Sequence, residues 1–442
     1  MATNNKTSFA SQFGLTPKLL IVGLLLGLAI RLGMYTFVDY QFDKGDAATY
    51  RLSARNIVEH GVYSSDASES PRPNAYRPPL YSGFLAVISS FFADTPRALQ
   101  LAQLLLSLCT GLLMTRISKV KFPEAAPWVF GLLMLSPFEA VYAGALLSET
   151  LTALLLVGAA ASLLLLSGWK RWILGGMVGG LCVLCRDIYL PMLLLFAGLW
   201  TWRGIGPPKH RILQAGVFLA ASMIVIAPWT ARNYYYLGQV VPVSAGRFGF
   251  AMWIGTWATD GAFTKSDATG TRVYPPQAYR TENERRLVSQ AIEENQIAPG
   301  KGDAIFRSLA MARLRDEPRR VLVRALRRAP LLWFGTRFDI FSLNERVLPY
   351  GSSAWRLVKS ILWGINAFFI VLGVLGIILA ARRSSSVLWL AVPIFFTVGV
   401  YLPFGAFENR YSQPVYPFVL AFSGIAAAEI VKCYSSYRAQ SR

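Results

Sequence analysis

The sequence predicts an all-α, polytopic membrane protein, and three observations carry that expectation. Of 442 residues, 54% are hydrophobic and only 15% are charged, against about 25% charged in a soluble globular domain. The apolar residues fall in blocks of membrane-crossing length. The cations, Lys+Arg 44 against Asp+Glu 24 for a net charge of +20, sit largely between those blocks. There they set orientation and meet anionic lipid, so no nucleic-acid partner is expected. An ordinary soluble enzyme, a disordered chain, collagen and a coiled coil are excluded. Four Cys are too few for a disulfide scaffold.

Taken in order, Lys18 opens an apolar run to Val38 that reads as a first, uncleaved helix. Nine further spans are expected at Leu99–Ile117, Pro127–Leu147, Thr150–Ser167, Trp172–Cys185, Tyr189–Trp202, Ile212–Trp229, Leu357–Ala380, Val387–Phe404 and Tyr411–Val431. Two of the ten, Trp172–Cys185 and Tyr189–Trp202, are short and read as tilted or half-broken around Arg186-Asp187. If every span crosses once, Arg116, Lys119, Lys121, Lys170, Arg171, Arg203, Lys209, Arg211, Arg382, Arg383, Lys432 and Arg438 all share the side of Lys6 and Lys18. Such agreement among short-loop cations places both termini in the cytoplasm.

Two long segments then face the other side, Asp39–Arg97 and Thr230–Arg356. The domain reading follows: a membrane module over 1–229 whose first outer loop, 39–97, carries the site, an outer domain of mixed structure over 230–356, and C-terminal helices with a cytoplasmic tail over 357–442. Leu80–Phe92 is too short to cross and reads as a juxtamembrane or re-entrant helix. Arg319, Arg320, Arg324, Arg327 and Arg328, set among Val321, Leu322, Leu326, Leu331, Leu332 and Trp333, have the pattern of a helix lying in the interface. The stretch 272–346 holds fourteen Arg and one Lys against nine acidic residues, a surface suited to anionic lipid or an anionic glycan.

A carboxylate near a bilayer is costly unless it has a partner or a task. Asp46 follows the first span and also fits the cap of an amphipathic helix bearing Tyr50, Leu52, Ala54, Ile57 and Val58. Glu149, in Leu147-Ser148-Glu149-Thr150, falls on the same face and also fits a helix start after a tight turn. Arg410, in Glu408-Asn409-Arg410-Tyr411, either holds a phosphate or pairs with Glu408. Arg77 precedes two prolines that fix its backbone, Arg186 marks an outer turn, and Arg232 follows the seventh span. A guanidinium fork suits phosphate oxygens, although any single arginine here also serves as a snorkelling anchor. Two acids and several arginines on one face point to chemistry on a lipid-linked phosphate.

Other motifs support structure. Cys182-Val-Leu-Cys185 lies in an apolar span without a second pair or a nearby His, and His60 and His210 are far apart in topology. Gly175-Gly176 and Gly179-Gly180 read as close helix packing. No Walker loop or dinucleotide fingerprint is present.

The order Gly45-Asp46-x-x-x-Tyr50-x-x-x-Ala54-Arg55-Asn56, Ala75-Tyr76-Arg77-Pro78-Pro79-Leu80-Tyr81, Leu147-Ser148-Glu149-Thr150, Cys185-Arg186-Asp187 and Pro228-Trp229-x-x-Arg232-Asn233-Tyr234 resembles the GT-C glycosyltransferases. It is most similar to the bacterial branch related to protein O-mannosyltransferases and lipid A aminoarabinose transferases. The resemblance runs to about Gly255 and returns at Arg410-Tyr411-x-x-Pro414. It implies an integral membrane enzyme that takes a sugar from a polyprenyl-phosphate carrier on the outer face and inverts the anomeric centre. It implies Asp46 as catalytic base, Glu149 as the second acidic position and Arg77 as the basic residue of the first outer loop. Acceptor contacts in the outer domain do not transfer, and the match at Arg410 is looser.

The residues support the same chemistry. An acceptor hydroxyl needs a positioned base, worth about 10²–10⁴-fold, and Asp46 fits that part if Glu149 or an arginine tunes it. The leaving phosphate is met by Arg77, Arg186, Arg232 and Arg410, with Tyr50 and Tyr76 beside the substrate, so neither a metal nor another cofactor is expected. The expected partners are a polyprenyl-phosphate-linked sugar, a hydroxyl-bearing glycan, lipid or protein acceptor, and membrane lipid, in a bacterial inner membrane with a periplasmic site. The alternative is a transporter or flippase of a lipid-linked sugar, which would concentrate ionisable groups near the midplane and show related halves. A non-catalytic assembly subunit would tolerate loss of both acids.

Overall fold

The computed structural model describes residues 8–92, 95–245, 248–258, 265–266, 272–297, 301–383, 388–405 and 408–440. Each of the ten expected apolar segments lies in a helix or a helix pair, although Val387, the first residue of one, and Lys6 fall outside the described residues. Helix α1 (Pro17–Phe37) starts on Thr16, whose hydroxyl accepts from the Leu19 amide at 3.2 Å. Then follow α2 (Gly45–His60), α3 (Pro79–Phe92) and α4 (Pro96–Lys121), the last capped by Thr95. Helices α5 (Ala126–Leu135) and α6 (Pro137–Gly144) form a bent pair. Next come α7 (Glu149–Leu165), α8 (Lys170–Cys185), α9 (Leu190–Arg203) and α10 (Pro208–Leu237). A lobe contains α11 (Phe248–Trp257), α12 (Glu282–Ile297), α13 (Asp303–Asp316) and α14 (Pro318–Arg328). The chain closes with α15 (Ser353–Arg383), α16 (Leu388–Tyr401) and α17 (Tyr416–Gln440).

The protein is a multi-pass membrane protein, but ten full-length crossings are not what its helices provide. Among the described residues, five helical stretches are long and apolar enough to cross: α1, α4, α10, α15 and Asn409–Gln440. The bent pair makes six. Helices α7, α8, α9 and α16 have 17, 16, 14 and 14 residues, short of the ~20 that bridge the hydrocarbon. Three of these four are cut short at charged residues. Helix α7 begins on Glu149, α8 stops before Arg186, and α9 starts only after the 3₁₀ turn Asp187–Tyr189.

The break between α5 and α6 has a local cause. Pro137 has no N–H to bond the Leu133 carbonyl four residues back, and hydrocarbon supplies no substitute donor. Arg31, from the middle of α1 and 1% exposed, supplies one. Its guanidinium donates to the Leu133 and Met134 carbonyls at 3.2 and 2.9 Å, to the Gly27 carbonyl at 3.0 Å and to the Ser107 hydroxyl at 3.0 Å. The pair bends by 45° there.

Small residues draw the helices together. A Cβ on Gly176 would run into the Phe218 carbonyl, one on Gly180 would lie 2.7 Å from the Ser222 carbonyl oxygen, and one on Gly376 would strike Phe422. The Ser222 hydroxyl bonds the Gly176 carbonyl at 2.9 Å. The expected packing role of the α8 glycines is what these contacts show.

The lobe has its own core around Trp253, Trp257, Val288, Ala291 and Phe306, with the buried Arg313–Glu284 pair at 2.8 Å. Helix α14 buries Val321, Ala325 and Arg328 and exposes Leu322, Val323 and Leu326. Two of its arginines turn inward, which corrects the purely interfacial reading. Arg324 donates to the Thr256 carbonyl at 2.8 Å and Arg328 to that of Ala258 at 2.5 Å. Those carbonyls lie at the C-terminal end of α11, where the helix leaves acceptors unpaired. The expected domain boundary at 229/230 falls inside α10, which continues to Leu237. The two-residue strands β1 (Val38–Asp39) and β4 (Ser342–Leu343) pair antiparallel and tie the end of α1 to the chain after the lobe, while β2 (Lys265–Ser266) pairs with β3 (Arg272–Val273).

Candidate active site

Asp46 sits in the first turn of α2, after Gly45 at φ 60, with Lys44 and not Asp46 at the N-cap position. Its two carboxylate oxygens face two different arginines, Oδ1 the Nη2 of Arg77 and Oδ2 the Nη2 of Arg410. Arg77 is aimed by its surroundings. Pro78 and Pro79 start α3 behind it, and the Tyr63 hydroxyl donates to the Arg77 and Pro78 carbonyls at 2.9 and 3.3 Å. Its guanidinium lies 5.4 Å from the ring centres of both Tyr50 and Tyr76.

Glu149 opens α7 from the far side of the cluster and is 1% exposed. Its Oε1 is 3.0 Å from the Nε of Arg410 and 3.3 Å from the Nη1 of Arg186. One guanidinium therefore bridges the two acids, and Arg410 reaches them in preference to its neighbour Glu408. Burial, and the charges of Asp46 and Glu149, push the Glu408 carboxyl up against the opposing pull of Arg410. The turn before Glu149 is fixed from α4, where Gln100 donates to the Gly144 carbonyl at 2.8 Å and Gln103 to that of Ala145. Tyr81 donates to Gln103 at 2.9 Å and packs edge-on against Tyr50 at 4.8 Å, so α2, α3, α4 and α7 meet at one corner. The Tyr50 hydroxyl reaches Ser148 at 3.5 Å.

The arginines keep unused hydrogen-bonding capacity. Among the described residues, Nε of Arg77, Nη1 of Arg186 and Nε of Arg410 are buried without a hydrogen-bond partner, as are both oxygens of Glu149. Opposite charges hold Glu149 at ion-pair distance, but the N–H vectors point elsewhere. Arg186 and Arg410 also lie 5.5 and 5.3 Å from the Tyr411 ring.

Arg232 is placed differently from the expectation. Its guanidinium donates to the Asn74 and Tyr63 carbonyls at 2.8 and 2.9 Å and stacks on Trp229 at 4.7 Å. It clamps the loop that presents Arg77 and does not enter the Asp46–Arg410–Glu149 cluster. The structure thus brings together Asp46, Glu149, Arg77, Arg186 and Arg410, with Tyr50 and Tyr76 beside Arg77. Among the described residues no three His, Cys, Asp or Glu side chains converge on a metal position.

One supporting network escaped the sequence reading. Arg337, at φ 56 and fully buried, donates to Asn366, Gln413 and Ser412 at 2.9, 2.9 and 3.0 Å and stacks on Tyr416 at 3.8 Å. Gln413 in turn donates to the buried Glu139 at 2.8 Å. This network seats the 3₁₀ segment Asn409–Val415, which carries Arg410. The available signal was polar residues, Asn366 and Gln413, within apolar segments.

A membrane-spanning, all-α fold with this cluster at one end of its helices is the architecture the motifs implied. No protein-family model matches the chain, and no curated protein matches it in sequence. Among solved structures it is similar to the archaeal oligosaccharyltransferase AglB from Archaeoglobus fulgidus, in complex with an inhibitory peptide and a dolichol-phosphate. The TM-score is 0.50 and the identity 14%, over 96% of this chain and 51% of that one. A second structure of that organism's oligosaccharyltransferase, tethered to an acceptor peptide containing the NVT sequon, gives a TM-score of 0.51 and 15% identity over 96% and 50% of the two chains. ArnT from Cupriavidus metallidurans bound to undecaprenyl phosphate gives 0.41 and 14%, over 93% and 78%. The chain spans about half the length of the oligosaccharyltransferase it matches, and the likeness is one of fold.

Proposed function

We propose that this chain is an integral membrane glycosyltransferase that moves a sugar from a polyprenyl-phosphate carrier to a hydroxyl of an envelope acceptor, with inversion and without a metal. The observation that carries the reading is the bridge: Arg410 joins Asp46 of α2 to Glu149 of α7, with Arg77 and Arg186 beside it. The AglB and ArnT structures contain dolichol-phosphate and undecaprenyl phosphate, and a lipid-linked phosphate suits three arginines with unpartnered N–H groups.

In this reading Asp46 is the base and Arg77 and Arg410 hold the phosphate. In the structure each of these arginines is engaged by Asp46, so an arriving phosphate competes with the carboxylate for the same N–H groups. Donor binding thereby frees Asp46 to accept the acceptor hydroxyl's proton. The resulting oxygen attacks the anomeric carbon, the bond to the phosphate oxygen breaks, and its electron pair leaves on the polyprenyl phosphate, where the arginines offset the charge. Glu149, deeper and facing Arg186 and Arg410, positions those two cations. Arg232 shapes the Arg77 loop.

The cation-rich helix ends, at Lys119, Lys121, Lys170, Arg171, Arg203, Lys209, Arg211, Arg382 and Arg383, lie opposite the cluster. They support cytoplasmic termini, a periplasmic site and a bacterial inner-membrane location. The test is mass analysis of envelope glycans and lipid-linked sugars in cells with the chain, without it, and with Asp46→Asn. We expect one sugar to vanish and its carrier-linked form to accumulate in both deficient strains. Unchanged glycans without the chain would remove the reading.

A further inference from the structure

An apolar cavity of about 100 Å³ lies between α7, α8, α9, α10 and α16 and reaches from Trp172 and Trp200 to Cys182 and Met192, near Arg186. Trp172, Trp200 and Trp389 line it together with Leu164, Phe196 and Phe218. Leu164 is fifteen residues along α7 from Glu149, roughly 22 Å at 1.5 Å per residue. An apolar void of this kind stays dry, and its walls forgo dispersion contacts unless something apolar enters.

The chain around it supplies charge without counter-charge. Lys170 and Arg171 immediately precede Trp172, Arg203 follows Trp200 by three residues, and Lys209 and Arg211 open α10. Among the described residues none of these five makes an ion pair, and the Nε groups of Arg171 and Arg211 are buried without a hydrogen-bond partner. The site is also braced. Trp200 donates to Gln214 at 2.9 Å, and Arg211 donates to the Trp202 carbonyl at 2.7 Å.

We propose that this cavity binds one acyl chain of an anionic phospholipid whose headgroup rests on Arg171 and Arg211. Chain and headgroup answer separate features: an apolar space to fill, and buried guanidinium donors to satisfy. The headgroup end, at Arg171 and Arg211, lies at the opposite end of α8 and α10 from Arg186 and Arg232, and the proposal does not depend on the reaction proposed at the Asp46 cluster. Phosphatidylcholine would fill the space and offer a phosphate, but it brings its own ammonium charge beside the arginines, whereas phosphatidylglycerol brings a net negative charge.

The experiment uses the full-length protein in nanodiscs of phosphatidylcholine, titrated with phosphatidylglycerol carrying brominated acyl chains. Bromine near the cavity quenches the fluorescence of Trp172, Trp200 and Trp389. We expect a saturable quenching component at several-fold lower mole fraction than with brominated phosphatidylcholine. Ala160→Phe, which fills the cavity, is expected to remove that component, and Arg171→Gln with Arg211→Gln to equalise the two lipids. Native mass spectrometry of the unmutated protein gives an arm free of folding defects, with one phosphatidylglycerol retained per chain. Equal quenching by both lipids, or no phosphatidylglycerol retained on the unmutated protein, would overturn the proposal. So would displacement of the retained lipid by equimolar undecaprenyl phosphate, which would assign the cavity to a carrier tail.

Discussion

At Arg410 the Nε edge meets Glu149 while Nη2 meets Asp46, an arrangement that needs a planar fork with donors on two edges. A lysine offers one compact charge. Arg410→Lys is therefore expected to lower glycosyl transfer at least about tenfold, and Asp46→Asn about 10²–10⁴-fold, both with unchanged thermal stability in detergent. Equal activity of Arg410→Lys and the unmutated protein would show the bridge to be idle. Glu408 gives a pH-dependent test. Its raised carboxyl means that the folded state holds the proton more tightly than the unfolded chain. Stability is fullest below the ordinary carboxylate value near 4.3 and falls as pH rises through the raised one. Glu408→Gln is expected to flatten the Tm-against-pH profile above that point. Asp46 was legible because an acid beside a span is costly. Arg232 misled because a guanidinium that binds carbonyls looks, in sequence, like one that binds phosphate.

Helix positions were readable from apolar run length, but helix continuity was not. The run Pro127–Leu147 looks unbroken, whereas its break depends on a partner far along the chain; the break at Arg186-Asp187 was legible from its charges. Pro137 was visible, but Arg31 on α1, which takes up the freed carbonyls, was not identified. Arg31→Met leaves the Leu133 and Met134 carbonyls without that donor, and is expected to destabilise the protein on the order of 2–4 kcal/mol, since an unmet buried acceptor costs about 1–3. Denaturant unfolding in mixed micelles measures it. Arg337 has a comparable role for the segment bearing Arg410, and its φ of 56, uncommon for a non-glycine residue, could not be read from the sequence.

For the molecule as a whole, the distribution of cations predicts that reporter fusions at residue 168 or 205 are active only on the cytoplasmic side, and one at residue 70 only outside. A reversed pattern would move the site to the other leaflet. Transfer is expected to persist in EDTA, because arginines take the charge-neutralising part in the proposed mechanism. The sequence exposed this large-scale plan because hydropathy and charge are summed over many residues, which absorbs local error. The closing of the cluster itself, by contrast, depends on a residue near the far end of the chain. Synthesis runs from the amino terminus, so the ribosome releases the α2 and α7 carboxylates long before the guanidinium that unites them. A half-made chain would hold Asp46 with Arg77 and Glu149 with Arg186 as separate pairs, and the charged corner would join them only once Arg410 arrives.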